Sequence, residues 1–271
     1  MTVSYARAQR SADASTTADV PPSPEARGRR PGSSRAGVIT LLVLLAVDGA
    51  LVVADMGHRF AMVQGRFTAF ADGRWNSQYD GSAAEIAGYV QVALTVLVLL
   101  VPVRRLRDPV LAAWAVLLSV VVVDDAAALH ERLGFALAGA VDLPAVAGLR
   151  PGDLGELLVW AGYGGVLGLV VLALHLRSNG PARRTSLQLA GALVLLMAAG
   201  AGVDMLHQLL EGSVPDRVGY ALGLLESTGE LVGMSLLLVV AVHRWATTRP
   251  HTGEGARRGG PQQVVTAAPR P

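Results

Sequence analysis

The stretch PVLAAWAVLLSVVVVDDAAALHERLG, residues 109–134, decides the fold. From Pro109 to Val123 it holds no charged residue. Asp124, Asp125, His130 and Glu131 then arrive close together. A bilayer core of about 30 Å asks for roughly 20 apolar helical residues. The acids fall where such a helix leaves the hydrocarbon. They are therefore either a polar cap at the water line or one wall of a site.

Working outward, five more blocks of the same kind appear. The six together are about 38–56, 83–103, 109–129, 154–176, 186–210 and 220–242. Only 16% of the 271 residues are charged, against about a quarter in soluble domains. The pattern predicts an all-α polytopic membrane protein, a six-transmembrane-helix bundle with disordered termini. Residues 37–246 form the membrane domain. Residues 1–36 and 247–271 are Pro-, Ser-, Gly- and Arg-rich without apolar periodicity, and such segments bury too little surface to fold. The chain has no cysteine, which excludes disulfides, thiolate ligands and a cysteine nucleophile. All 23 basic residues are arginine. They are not interleaved with aromatics, so nucleic-acid binding is not expected.

The arginines also set an orientation. Arg27, Arg29, Arg30 and Arg35 precede span one, and Arg104, Arg105 and Arg107 separate spans two and three. Arg177, Arg183 and Arg184 separate spans four and five, and Arg244 and Arg249 follow span six. Clusters in alternate loops place those loops and both termini in the cytoplasm of a bacterial cell. The other loops, about 57–82, 130–153 and 211–219, then face outward. Within 130–153, GFALAGAVDLPAVAGL is too short to span; it either lies at the interface or folds back.

On this topology nearly every intramembrane acid lies toward the outer end. Asp55, Glu85, Asp124, Asp125, Glu131, Glu156, Asp204, Glu211, Glu226 and Glu230 belong there, with His130 and His207; Asp48 alone is near mid-span. At 100° per residue, Asp204, His207 and Glu211 share a face with Gly200 and Ala201. Glu226 and Glu230 are one turn apart, beside Gly223, Gly229 and Gly233. Asp124 and Glu131 nearly eclipse on a continuous helix, with Asp125 and His130 off that face. Glu156 aligns with Trp160 and Tyr163, and Glu85 with Gly88 and Tyr89. Small residues mark close helix packing in membranes, and carboxylates avoid lipid. The acids thus face the interior as one polar chamber.

The strings YDGSAAEIAGYVQ (79–91), DDAAALHE (124–131), VDMLHQ (203–208) and LESTGELVGMSL (225–236) resemble motifs of uncharacterised bacterial multi-pass membrane proteins. Those carry an Asp-Gly before span two, an Asp…His-Glu, an Asp-x-x-His and a Glu-x-Gly-Gly-Glu-like segment. The present chain departs from the last at Ser227 and Thr228. The resemblance supports the choice of residues and implies no chemistry. A weaker resemblance is to seven-span zinc-dependent intramembrane hydrolases; six spans and two well-placed histidines depart from it.

Two chemistries fit these residues. In the first, Asp204, His207, Glu226 and Glu230 hold a divalent metal, with Asp124 and His130 or Glu131 contributing and Glu85, Glu156, Asp125 and Glu211 accessory. Mixed His/carboxylate sets suit Zn²⁺, Fe²⁺ or Mn²⁺. A metal-bound water would act on a lipid or other outer-face substrate. In the second, the acids titrate as a coupled group in a proton- or cation-coupled transporter. Against both stands a purely structural role as caps and buried braces; Glu85 and Glu156, each in a first turn, are favoured there by the helix dipole alone.

Overall fold

The computed structural model describes residues 31–248 except Ala147 and Glu211. Six helices are long and apolar enough to cross a membrane. They are α1 (Pro31–Gln64), α2 (Ala83–Leu106), α3 (Pro109–Ala126), α5 (Pro151–Arg177), α6 (Gly180–Leu210) and α7 (Asp216–Thr247). A shorter helix, α4 (Leu129–Ala140), follows α3. The chain is an all-α multi-pass membrane protein. Its helices overrun most of the apolar blocks read from the sequence. The 34 residues of α1 extend about 50 Å at 1.5 Å per residue, well beyond the hydrocarbon core. Hydropathy marks only the lipid-buried part, while Arg, Met and Gln at the flanks are themselves good helix formers.

The helix ends have local causes. Ser82 caps α2, its hydroxyl accepting from the Glu85 N–H at 3.2 Å. Arg107 closes it at φ 50°. Asp108 caps α3 and Pro109 opens it, where a missing N–H costs nothing. Two spans contain wide π-type turns, Trp160–Gly164 in α5 and Ala198–Val203 in α6. Both segments are rich in glycine and alanine.

Helix α7 is the hub, packed along α1, α2 and α6. About 44% of its apolar stretch is buried, against 6% for α5 at the periphery. Apolar side chains that face away from the bundle, such as Val166, Leu169 and Leu172 on α5 and Val38, Ile39 and Leu42 on α1, present the lipid-facing surface. Gly233 lets α7 lie against the Leu196 backbone of α6: a Cβ there would meet Leu196 Cα at 2.9 Å.

The apolar core occupies only half the bundle. Leu99, Leu111, Leu118, Leu189 and Leu237 are fully buried, with Trp114 among them. Leu118 is at the middle of α3 and the others lie toward the end that carries the 107–108 and 178–179 connections, here the arginine end. Trp114 Nε1 donates to Ser186 Oγ at 2.8 Å, and Ser186 shares a 3.0 Å hydrogen bond with His175 Nδ1. That joins α3, α5 and α6 inside the dry half. The opposite, acidic end is polar.

Segment 130–153 folds back. After α4, a turn with the Val146–Leu149 bridge returns the chain to Pro151. Helix α4 lies against the start of α5. The contact is so close that a Cβ on Gly155 would overlap the Gly134 carbonyl, and a Cβ on Gly134 would meet the Glu156 N at 2.5 Å.

Candidate functional site

The acidic end is roofed by residues 65–82. Asp55 on α1 is 1% exposed and anchors this loop. Its Oδ1 accepts from the Ser77 N–H at 2.9 Å and the Ser77 hydroxyl at 3.1 Å. Arg59 approaches its Oδ2 at 3.4 Å and lies over the Tyr220 ring at 4.1 Å. His58 Nδ1 donates to the Phe70 carbonyl at 2.8 Å, and Phe70 packs on Gly57. Asp72, in the loop, is held below the usual carboxylate range because the Arg74 N–H donates to it. Gln78 hangs beneath this roof. It fits against Gly223, where a Cβ would meet its amide at 2.5 Å, and it faces Glu226.

Under the roof lies a cluster of carboxylates. Glu230 projects from α7 onto the π-turn of α6; a Cβ on Gly200 would stand 2.6 Å from its Oε1. Glu226, Asp204, Asp125 and Glu85 are within Coulombic range of Glu230. Asp204 follows the π-turn directly and accepts from Gln208 Nε2 at 2.8 Å. Glu85 accepts from the Gly81 N–H and the Tyr89 hydroxyl. Among the described residues the ion pairs lie elsewhere: Arg59–Asp55, Arg74–Asp72, His130–Asp124 and Arg150–Asp153. Four helices, α2, α3, α6 and α7, thus bring five acids together with no arginine paired to any of them.

The other expected residues are placed differently. The sequence put Asp124 and Glu131 on one face of an unbroken helix. Instead α3 stops at Ala126 and the chain reverses through Ala128 at φ 47°. That turn swings His130 back, so its Nδ1 donates to Asp124 Oδ2 at 2.8 Å. The His130 ring continues into Trp160 and Tyr163, with centroids 5.6 and 5.5 Å apart in succession. Asp124 and His130 are therefore a hydrogen-bonded pair beside the chamber. Glu131 and Glu156 lie near each other at the α4–α5 contact. His207 does not converge with Asp204: its Nε2 abuts Gly219, where a Cβ would stand at 3.3 Å. The partner of Asp204 is Gln208, one residue further on. Glu211 lies outside the described residues, as do most of the predicted disordered ends. Among the described residues, no group of three or more His, Asp or Glu side chains is arranged to hold a metal ion.

One polar centre was not anticipated. Asp48, 4% exposed at the middle of α1, accepts from Gln91 Nε2 at 2.8 Å and Ser235 Oγ at 2.6 Å. Ser235 is also 3.3 Å from Gln91 Oε1, and Thr95 Oγ1 donates to the Gln91 carbonyl at 2.8 Å. This triad joins α1, α2 and α7 below Glu230, where the polar half meets the apolar core. The only sequence signals were a lone mid-span acid and two polar residues inside apolar runs.

A family model described as Domain of unknown function (DUF8692) matches residues 35–245, which takes in all six spans. No curated protein and no solved structure matches the chain.

Proposed function

The chain belongs to the DUF8692 family, and from the grouping of its intramembrane acids we propose that it takes up protons or small cations into a chamber at one face of the bilayer, beneath the 65–82 loop. This is the arrangement of a coupling site in a proton- or cation-coupled transporter. One observation carries the reading. Glu85, Asp125, Asp204, Glu226 and Glu230 gather within Coulombic range with no arginine paired to them among the described residues. Like charges in a low-dielectric setting repel strongly, and a captured cation relieves that repulsion. Such groups titrate together, as a set. The Asp48–Gln91–Ser235 triad extends the polar zone inward from Glu230 and gives the chamber a floor. A purely structural brace would neutralise its acids with arginine, as Asp55 is paired with Arg59. By the alternation of arginine clusters, the acidic end faces outward from the cytoplasmic membrane and both termini face the cytoplasm.

Acid–base titration of the detergent-purified protein tests the uptake. Wild type takes up more protons per chain over the full titration than E226Q/E230Q, because both glutamates belong to the coupled set. Identical curves would overturn the reading. Elemental analysis decides which cation is held. Stoichiometric zinc, iron or manganese, lost in the same variant, would make the site a metal centre, with a metal-bound water acting on an outer-face lipid substrate.

A further inference from the structure

A second feature lies on the lipid-facing side of α2 and α3. A cavity of about 710 Å³, open along one side, runs between these helices. That volume is in the range of small-molecule sites, about 300–1,000 Å³. Its walls are almost entirely aliphatic, with Leu100 and Val103 on α2 and Val116 and Val120 on α3. The polar groups of its upper end are Asp124 and Tyr163, with Leu129 and Leu133 of α4 beside them. From Ala112 to Asp124 the groove follows α3 for about 18 Å at 1.5 Å per residue. One leaflet of hydrocarbon is about 15 Å deep, half of the 30 Å core. The groove therefore has the length of a single hydrocarbon chain crossing one leaflet, and its polar end sits where that chain's head belongs.

The polar end is incomplete. The Tyr163 hydroxyl is buried beside the Asp124 carboxylate, close enough to interact with it but without a well-formed hydrogen bond. A buried hydroxyl without a good partner costs about 1–3 kcal/mol, and the Trp160 ring lies tilted against Tyr163 with centroids 5.5 Å apart. Asp124 lines this end of the groove, and its Oδ2 accepts from His130 Nδ1 at 2.8 Å. An acceptor and a poorly partnered hydroxyl side by side suit a head that both donates and accepts. A hydroxyl does both. A phosphate or carboxylate head would meet Asp124 as a like charge.

We propose that the α2–α3 groove binds a single-chain lipid with a hydroxyl head, the hydroxyl donating to Asp124 and accepting from Tyr163. This binding is separate from cation uptake in the chamber, which uses Glu226 and Glu230 on α7.

The test uses radiolabelled hexadecanol bound to the full-length protein in detergent micelles, competed with unlabelled hexadecanol or hexadecanoate. Hexadecanol should compete at least about ten-fold more strongly than hexadecanoate, because a like charge costs more than the one factor of ten that 1.4 kcal/mol represents. Ser119→Phe, which fills the groove from a half-buried position, should abolish saturable binding. Tyr163→Phe should weaken it about ten-fold while leaving the elution profile and the proton titration unchanged. Equal competition by the two probes would show a non-selective lipid-facing surface and overturn the proposal. Retention of full binding in both variants would do so as well.

Discussion

Asp48 offers the sharpest energetic test of how this bundle is held. Its carboxyl is 4% exposed at mid-span, so no water replaces a lost partner. Ser235 donates to it at 2.6 Å, the shorter of its two side-chain contacts. Interhelical hydrogen bonds in membranes average about 0.6 kcal/mol and reach about 1.7 kcal/mol. Bonds to charged groups in proteins are worth about 1.5–3 kcal/mol. A short bond to a buried carboxyl belongs near the top of the first range. We therefore expect a coupling energy of about 1.5 kcal/mol between Asp48→Ala, which removes the acceptor, and Ser235→Ala. The assay is a double-mutant cycle on reversible unfolding in mixed micelles, followed by tryptophan fluorescence. Ser235 is fully buried at 0% exposure, and its replacement by alanine removes one oxygen and opens little space, so a packing effect cannot mimic the coupling. If the two changes add to within about 0.5 kcal/mol, the threshold for independent sites, the triad is not an energetic unit and the reasoning fails.

Three further outcomes follow from the geometry. Gly155→Ala places a methyl group on the Gly134 carbonyl and should lower stability by about 1–3 kcal/mol, as overpacking does; thermal melts of purified protein read this, and an unchanged melt would refute the close α4–α5 contact. Ser77→Ala removes one of the two donors from Ser77 to Asp55, so trypsin should cut at Arg66 and Arg74 several-fold faster than in wild type, and equal rates would show that Asp55 does not anchor the loop. Reporter fusions after residues 107 and 180 should read cytoplasmic and those after 145 and 215 external; the reverse pattern would turn the chamber to face the cell interior.

The spans were legible because hydrocarbon imposes one demand, length without charge, and the six blocks meet it openly. The collection of acids at one end followed from the same reading, and Glu226, Glu230, Asp204, Glu85 and Asp125 do come together. The pairing of Asp124 with His130 did not follow. Ala126, Ala127 and Ala128 are the best helix formers available, and nothing local announces a left-handed turn at Ala128. Tertiary contact decides it: α4 has to turn back for Gly134 to reach Gly155. The expectation for Asp204 and His207 shows the same limit. One-turn spacing places two side chains near each other but does not say which neighbour each one prefers; Gln208 takes Asp204, and Gly219 leaves room for His207. The Asp48 triad was least legible, because it exists only once three helices distant in sequence are assembled, and Gln91 and Ser235 alone read as tolerated polar residues within apolar runs.

The division of the bundle into a polar half and an apolar half has an electrical meaning. A membrane voltage falls mainly across material of low polarisability, and here that is the layer of Leu99, Leu118, Leu189 and Leu237. On the proposed uptake reading, the acidic half follows the potential of the solution it faces. A cation that stops at Glu226 or Glu230 crosses little of the field, so its binding changes little with voltage. Passage beyond Asp48 takes on most of the roughly 2.3 kcal/mol that 100 mV exerts on each elementary charge. The leucine layer is therefore the insulator of the protein, and any voltage sensitivity it has resides in the step that crosses those side chains.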